Sequence, residues 1–466
     1  MEDLITVTTS MQIMLLIWIA LVVLIVRRTI ASGSVGLPAA MVLTMSFLYG
    51  GCFVYAVPGY THLRADAHWY LGILSFTEWQ VVQATFASLL GLLGFAIGTG
   101  TFLPCRKAIV PSSTTPSRRP VSEKKVILAL CMIGAASFAL HYMRASFPMS
   151  GALLELGRNV AVAAICIGVY REWRSGRSIA VWMGVAALIP LYYLVVFGFV
   201  SYGFLFAIIL TSFWLARMRH TSSMKRLRLA LLSFAAVWLL LTLFIAWFSF
   251  RDEVREIVWQ STGGSLWDVL MNAVVETELF SPWNFASLDL INIRLNLNLF
   301  IGRMIEHHQS FPQLQEWGAT LIIFPLVLVP RFLWSGKPER GGSGFMSEHT
   351  GMSLSDSATF GTGTVFEFFI NFGYIGVFLG FVVLGWIIRR VDRRATFFLV
   401  TGDAFRFARL FVVGIFAIDP LLRPFFIVNG AVFAWIMMSA LKVVISAWVS
   451  PSKSRLPGHP ARWLKS

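Results

Sequence analysis

Residues 4–26, LITVTTSMQIMLLIWIALVVLIV, hold no charged side chain and stop at Arg27-Arg28. A helix of that length reaches about 35 Å, enough to cross a hydrocarbon core of about 30 Å. The rest of the chain repeats the pattern. Of 466 residues, 57% are hydrophobic and 13% charged, whereas soluble domains carry roughly 25% charged residues. A soluble globular protein and a disordered chain are both excluded. An outer-membrane barrel would show short alternating segments instead of long apolar runs. The sequence therefore predicts an all-α, polytopic integral membrane helix bundle.

Eleven spans are predicted, at about 4–26, 37–57, 80–102, 126–143, 152–170, two within 178–216, 229–250, 364–388, 408–421 and 425–444. Residues 178–216 carry no charge. As one helix they would reach about 58 Å, so they read as a hairpin of two short spans turning near Pro190, Gly198 and Gly203. The last two spans meet at a tight outer turn holding Asp419 and Arg423, which read as a structural pair. The organisation is an eight-span bundle over 1–250, a large outer loop region over 251–363, a three-span part over 364–447, and a basic tail over 448–466.

The net charge of +15 reads as topology, since basic loops stay in the cytoplasm, and no nucleic-acid partner is expected. With Arg27-Arg28 inside, the cytoplasmic segments hold 27 Lys/Arg and 4 Asp/Glu, and the outer side 11 and 19. That asymmetry puts the N-terminus outside and the C-terminus in the cytoplasm. It requires 317–333 to be a re-entrant or short buried helix that does not cross. Glu2 and Asp3 precede the first run where a signal peptide has a basic region, so this helix reads as retained. The four cysteines show no C-x-x-C pair, which argues against a disulfide framework or a zinc site.

Charged and polar residues return in 251–363. Residues 265–280 form an amphipathic surface helix, with Ser265 and Asp268 as its N-cap pattern. Residues 288–309 alternate like a strand at Asn292, Arg294, Asn296 and Asn298, but length and a Leu290–Met304 apolar stripe favour one helix. Asn292, Asn296, Arg303 and His307 then share a polar face beside Glu306, either solvated or functional, and His308 points elsewhere. Arg331 closes an apolar stretch as an anchoring residue or an anion ligand. Lys337 is the one lysine on the outer side. Glu367 and Asn371 lie four apart in the outer turns of their span, where a carboxylate needs a cation or a polar cavity. No P-loop, Gly-x-Ser-x-Gly, His-Glu-x-x-His or dinucleotide motif is present. No cofactor and no metal are expected, and chemistry belongs on the outer face.

The run from Arg294 to VPRFLWSGKP (329–338), followed by TGTVFEFFINFGYIGVFLGFVVLGWIIRR (362–390), resembles the Wzy-type polymerases of O-antigen and exopolysaccharide repeat units. It is similar to their PR-x-LW-x-x-KP element and their later E-x-Y-x-NFG-x-x-G helix, with Phe369 at the tyrosine position. The motif-bearing part covers about 100 residues, and the first 250 match in hydropathy alone. The resemblance implies a GT-C-like glycosyltransferase of the bacterial inner membrane. It would join undecaprenyl-diphosphate-linked oligosaccharides at the outer leaflet, beside a flippase and a chain-length regulator of the same pathway, and needs membrane lipid. Arg294, Arg303, Arg331, Lys337 and Arg340 are the implied diphosphate ligands, because growing charge on the leaving oxygens needs preorganised cations. His307 or Glu306, then Glu367, are the candidate bases for the acceptor hydroxyl. Trp259, Trp267, Trp283, Asn296 and Asn371 are candidates to grip glycan. An O-antigen ligase, a lipid-linked oligosaccharide flippase and a non-catalytic scaffold are the competing readings. A flippase would be expected to show ionisable groups deep in spans and helices broken near the midplane.

The charge asymmetry is directly testable. Alkaline phosphatase fused after Arg228 or Arg394 should be inactive and cytoplasmic, and fused near Asn284 it should be active. The reverse result would invert the topology.

Overall fold

The computed structural model describes residues 2–60, 77–104, 123–143, 151–197, 200–216, most of 238–257, 265–276, 279–322, 343–354 and 361–449. Every regular element among them is helical. In chain order they are α1 (Glu2–Ser32), α2 (Leu37–Tyr49) with its 3-10 continuation Gly50–Ala56, α3 (Glu78–Gly98), α4 (Glu123–Tyr142), α5 (Gly151–Arg174), α6 (Ala180–Phe197) and α7 (Val200–Leu215). There follow α8 (Leu266–Glu276), α9 (Phe285–Leu295), α10 (Asn298–Ser310), α11 (Ala319–Ile322), α12 (Ser343–Thr350), α13 (Gly363–Val400), α14 (Ala404–Ala417) and α15 (Pro424–Val449).

Seven of the described helices are long and apolar enough to cross a membrane: Ile5–Ser32, Leu37–Ala56, Glu78–Gly98, Lys124–His141, Gly151–Arg174, Gly363–Val400 and Pro424–Ile445. The chain is thus a helical membrane protein. The expected hairpin within 178–216 is present as α6 and α7. Gly203 lies so close to Pro190 that an added Cβ would sit 2.8 Å from the Pro190 Cα. Half of the expected span at 229–250 is described, and its described residues within 238–250 are helical, whereas most of the stretch 317–333 lies outside the described residues.

The centre of the bundle is the seam of α3 with α13. Gly91 faces Val377 and Phe381, and Gly94 and Gly98 lie against the carbonyls of Phe378 and Val382. The contacts advance together along both chains, so the two helices run in the same direction. In lipid the hydrophobic effect does not drive helices together, and small residues gain their packing by letting backbones approach. At the arginine-rich end, Asp392 Oδ1 accepts the N–H groups of Gly36 and Leu37, both at 3.0 Å. This carboxylate caps the start of α2. Gly36 holds φ +98 there, with Ser212 O where a side chain would go.

From that cap α2 climbs 13 residues to Tyr49, a rise of about 20 Å. The chain reverses three times around this point, twice at the depth of Tyr49 and once above it. The first corrects the single helix expected over 288–309. α9 descends past Tyr60, whose ring lies 5.8 Å from Phe285, to Gly51, which the carbonyls of Ile291 and Leu295 touch. The chain turns at Asn296 and Leu297, and α10 climbs back until Gly302 packs on Gln80. The pair is a re-entrant hairpin. Its tip is tied by Leu297 N to Leu48 O at 3.1 Å and Asn298 Nδ2 to Tyr49 O at 3.2 Å. Asn298 also accepts from Ser88 Oγ at 2.5 Å, and Asn296 donates to Asn292 at 2.7 Å. These amides are therefore consumed by backbone and side chains of the hairpin, where a break in lipid would otherwise leave polar groups unsatisfied.

The second reversal is inside α13. Phe372 (φ −142, ψ 23) and Gly373 (φ 60, ψ −149) are not helical, and the Gly373 conformation is open essentially to glycine alone. The Phe368 carbonyl faces Gly376 and the Phe368 ring faces Gly380. Residues 363–371 therefore climb from Tyr49, and residues 374–400 descend as the span. The third reversal follows α14. Its 14 residues rise only about 21 Å, less than the hydrocarbon core. The turn with Asp419 and Arg423, expected at the outer surface, is accordingly buried beside Gly363. Gly363 N donates to Leu421 O at 3.2 Å and Thr364 N to Pro420 O at 3.0 Å.

The seam gives a stability prediction. Gly98→Leu should lower stability by about 1–3 kcal/mol through overpacking, measured as unfolding in detergent micelles. Gly184→Leu, where no atom lies within 4 Å of the added carbon, should have little effect.

Candidate functional site

The three reversals bring ionisable groups into one cluster. Glu367 sits on the ascending leg of α13 and is fully buried. Its Oε2 accepts from Arg423 Nε at 2.5 Å, and its Oε1 is buried with no hydrogen-bond partner among the described residues. Arg423 is the sole cation between residues 410 and 441. Its guanidinium carbon lies 3.8 Å from the centre of the Phe345 ring on α12, a cation–π contact strengthened by exclusion of water. The expected pairing of Arg423 with Asp419 is thus replaced by Glu367. Asp419 Oδ1 accepts instead from Leu421 N at 3.0 Å.

Asn371, one turn above Glu367, is a structural clamp. Its Oδ1 accepts from Gly318 N at 2.9 Å, and its Nδ2 donates to Thr320 Oγ1 and to Glu367 O, each at 2.7 Å. Trp317 holds φ +47, the one positive φ outside glycine among the described residues. Such backbone strain persists only where the surroundings impose it. Here it turns the chain so that Gly318 reaches Asn371, while Glu316 N donates to Ile370 O at 2.9 Å.

Glu316, His349 and His308 complete the cluster. His308 Nε2 and His349 Nδ1 are 3.1 Å apart, and His349 Nε2 lies 3.6 Å from Glu316 Oε1. Burial, then the neighbouring His308, Arg423 and His307, lower the His349 pKa to about 4. The ring is therefore neutral near pH 7, and its contact with Glu316 is not a salt bridge. His308 is lowered by burial and by His307. Glu316 is raised by burial and by Glu348 and Glu367, with Arg423 opposing.

The residues singled out from sequence fall in several places. Glu367 and Asn371 lie in the cluster, with Asn371 fully hydrogen-bonded and unable to offer its amide to a glycan without losing those bonds. Glu306 pairs with Arg303 at 2.5 Å on a half-exposed face of α10, so each neutralises the other. His307 packs on Phe311 and against Gly351. Arg294 lies with its guanidinium carbon 5.0 Å from the centre of the Phe248 ring. The polar face proposed for Asn296, Arg303 and His307 does not exist as such, because the chain reverses between them. Trp267 and Trp283 are 69% and 75% exposed, and the Ser265 cap of α8 is present, with Asp268 N donating to its Oγ at 3.3 Å. Arg331, Lys337, Arg340 and Trp259 lie outside the described residues.

Sequence reading missed Arg423 as the partner of Glu367, and missed Glu316, His308 and His349. The available signal was that a carboxylate at the head of an apolar helix requires a cation, and Arg423 stands alone in its stretch. Among the described residues, no group of three or more His, Cys, Asp or Glu is placed to hold a metal ion. No protein-family model, curated protein or solved structure matches the chain.

The depressed His349 pKa has a defined sign. Between the ordinary histidine value of about 6.5 and about 4, the unfolded chain binds a proton that the folded chain refuses. The stability contribution of His349 is whole above that window and is lost as pH falls through it. Thermal unfolding followed from neutral to acid pH should show a steeper decline for the native protein than for His349→Gln. Equal slopes would place a charged ring in the fold.

Proposed function

We propose that the chain is a membrane glycosyltransferase that polymerises polyprenyl-diphosphate-linked oligosaccharide repeat units, of the Wzy type, at the outer face of the bacterial inner membrane. The observation that carries this reading is the buried Glu367–Arg423 pair with neutral imidazoles beside it, at the end of the bundle remote from Arg389 and Arg390. Glu367 belongs to the same helix whose sequence resembles the polymerases. Transfer between lipid carriers needs no nucleotide domain, and the sequence offers none.

The chemistry is a displacement at the anomeric carbon. The bond from that carbon to the diphosphate oxygen breaks, and the electron pair leaves with the diphosphate. The acceptor hydroxyl oxygen forms the new bond, and its proton passes to a carboxylate. Negative charge grows on the leaving oxygens, where fixed cations stabilise it. Arg423 is held rigid for this by Glu367 and Phe345, and Arg331, Lys337 and Arg340 are the further cations the motif supplies. Glu316, partly exposed and a stronger base than an ordinary carboxylate, takes the place first given to His307 or Glu306. Glu367 positions Arg423. The exposed Trp267 and Trp283 offer flat faces to sugar rings.

A second reading has an observation of its own. Helices that break in the depth of a bundle are a feature of transporters, and the reversal at the buried Asn296 is of that kind. A lipid-linked oligosaccharide flippase is therefore kept beside the polymerase.

Glycan length on the lipid carrier separates them. A deletion strain should accumulate single repeat units on the outer leaflet, and Glu367→Gln or Arg331→Ala should do the same while inserting at normal levels. Long chains left unattached would mean a ligase, and units stranded on the cytoplasmic leaflet a flippase. Normal long chains from either variant would remove that residue from the mechanism.

A further inference from the structure

The last turn of α10 and helix α12 stack His308 on His349, with ring centres 5.3 Å apart and 28° between the planes. The two facing nitrogens, 3.1 Å apart, share one proton, since a neutral imidazole donates through one nitrogen and accepts through the other. The tautomer of one ring therefore sets that of its neighbour. The outer nitrogen of His349 faces Glu316, and the outer nitrogen of His308, Nδ1, is buried with no hydrogen-bond partner among the described residues, next to the Gln315 side chain. Gln315 is itself fixed, its Nε2 donating to Phe369 O at 3.3 Å.

We infer that Glu316, His349 and His308 are a proton relay, in which a proton taken up at His308 Nδ1 is delivered to Glu316 by two tautomeric shifts. With Glu316 ionised, each ring carries its proton on Nε2, that of His349 toward the carboxylate and that of His308 toward His349. A proton binding at His308 Nδ1 forms an N–H bond there. The Nε2–H bond of His308 breaks as an Nδ1–H bond forms on His349. The Nε2–H bond of His349 breaks as an O–H bond forms on Glu316 Oε1. The net change is one proton on Glu316 and two neutral rings with their protons moved to Nδ1. The 3.6 Å gap between His349 and Glu316 must close by about 0.5 Å to reach ordinary hydrogen-bond length.

The surroundings favour this route over an imidazolium. Arg423, at the start of α15, and His307 on α10 oppose positive charge on the rings, as does burial. Glu348 on α12 and Glu367 on α13 oppose negative charge on Glu316. Positive charge on either ring is thus disfavoured, and burial, Glu348 and Glu367 favour a proton on Glu316 against Arg423, so the rings pass the proton on as neutral tautomers. The relay itself follows from the cluster alone. Its use, the same shifts run in reverse so that the proton Glu316 takes from the acceptor hydroxyl leaves at His308 Nδ1, rests on the transferase reading above.

The test is nitrogen-15 spectroscopy of the full-length, histidine-labelled protein in lipid nanodiscs, titrated from about pH 8 to about pH 5, a range that covers ordinary histidine titration and stops above the ordinary glutamate value. His308→Gln and His349→Gln identify the two signals. The expected result is that both rings exchange Nε2–H for Nδ1–H at one common pH, above the ordinary glutamate range, with no imidazolium signal. Glu316→Gln should abolish that joint exchange. Rings that switch at different pH values, that become imidazolium near pH ~6.5, or that ignore Glu316→Gln would overturn the relay. The native titration needs no variant to fold. Because the spectra need no substrate, a negative result here leaves the glycan-length experiment untouched, and the converse holds.

Discussion

A backbone that stops being helical inside a bilayer must find hydrogen-bond partners within the protein, because lipid offers none. The interior of this molecule is arranged around that requirement. Two of the three reversals lie at Tyr49: the Leu48 and Tyr49 carbonyls serve the Asn296–Asn298 turn, and the Tyr49 hydroxyl donates to Pro420 O at 3.4 Å. The reversal at Phe372 and Gly373 is held further up, where Asn371 Oδ1 accepts from Gly318 N and Glu316 N donates to Ile370 O. The asparagines serve this structure. Their amides replace the water that a turn in solution would use.

The same arrangement sets the electrostatics. Residues 363–371 can carry a carboxylate into the bundle because the returning α14–α15 turn brings Arg423 to the same depth. Burying either charge alone costs several kcal/mol, so each justifies the other's position. What is left over is chemically significant: one Glu367 oxygen without a partner among the described residues, two imidazoles whose burial disfavours charge, and a carboxylate held protonatable beside them. Buried polar groups that are not fully satisfied are expensive, and their concentration in one place distinguishes this region from the well-paired Asn292–Asn298 network.

Much of the architecture was legible in composition and run length. The apolar runs, the break within 178–216 and the amphipathic helix after Ser265 follow from hydropathy and capping. What hydropathy cannot register is direction. A run such as 363–388 reads as one continuous crossing, and only the φ +60 at Gly373 turns its first third back on itself. For the same reason 288–309 read as a single helix, since a periodic stripe of Leu290, Ile293, Leu297 and Ile301 survives a reversal at Asn296 when each leg turns its apolar side to the bundle, the first to α2 and its 3-10 continuation and the second to α3. The site suffered accordingly. Glu367 was identifiable from the cost of burying a carboxylate, but its partners come from residues 308, 316, 349 and 423, which only the reversals bring together. Arg303, Glu306 and His307, grouped by helical periodicity, proved to be occupied with one another or with aromatic and backbone surfaces.

The position of Tyr49 also bears on how the chain is made. Its hydroxyl waits for Pro420, 371 residues later, an interval of about 20–75 s at ordinary elongation rates. Until then α2 stands in the bilayer with polar groups that have no final partner. The first helices must therefore be sheltered by the insertion machinery or by trapped water throughout synthesis, since the central seam waits for α13 and the Tyr49 hydroxyl for the turn between the last two helices. Truncated chains of this protein should then be clients of membrane quality control, not stable half-bundles.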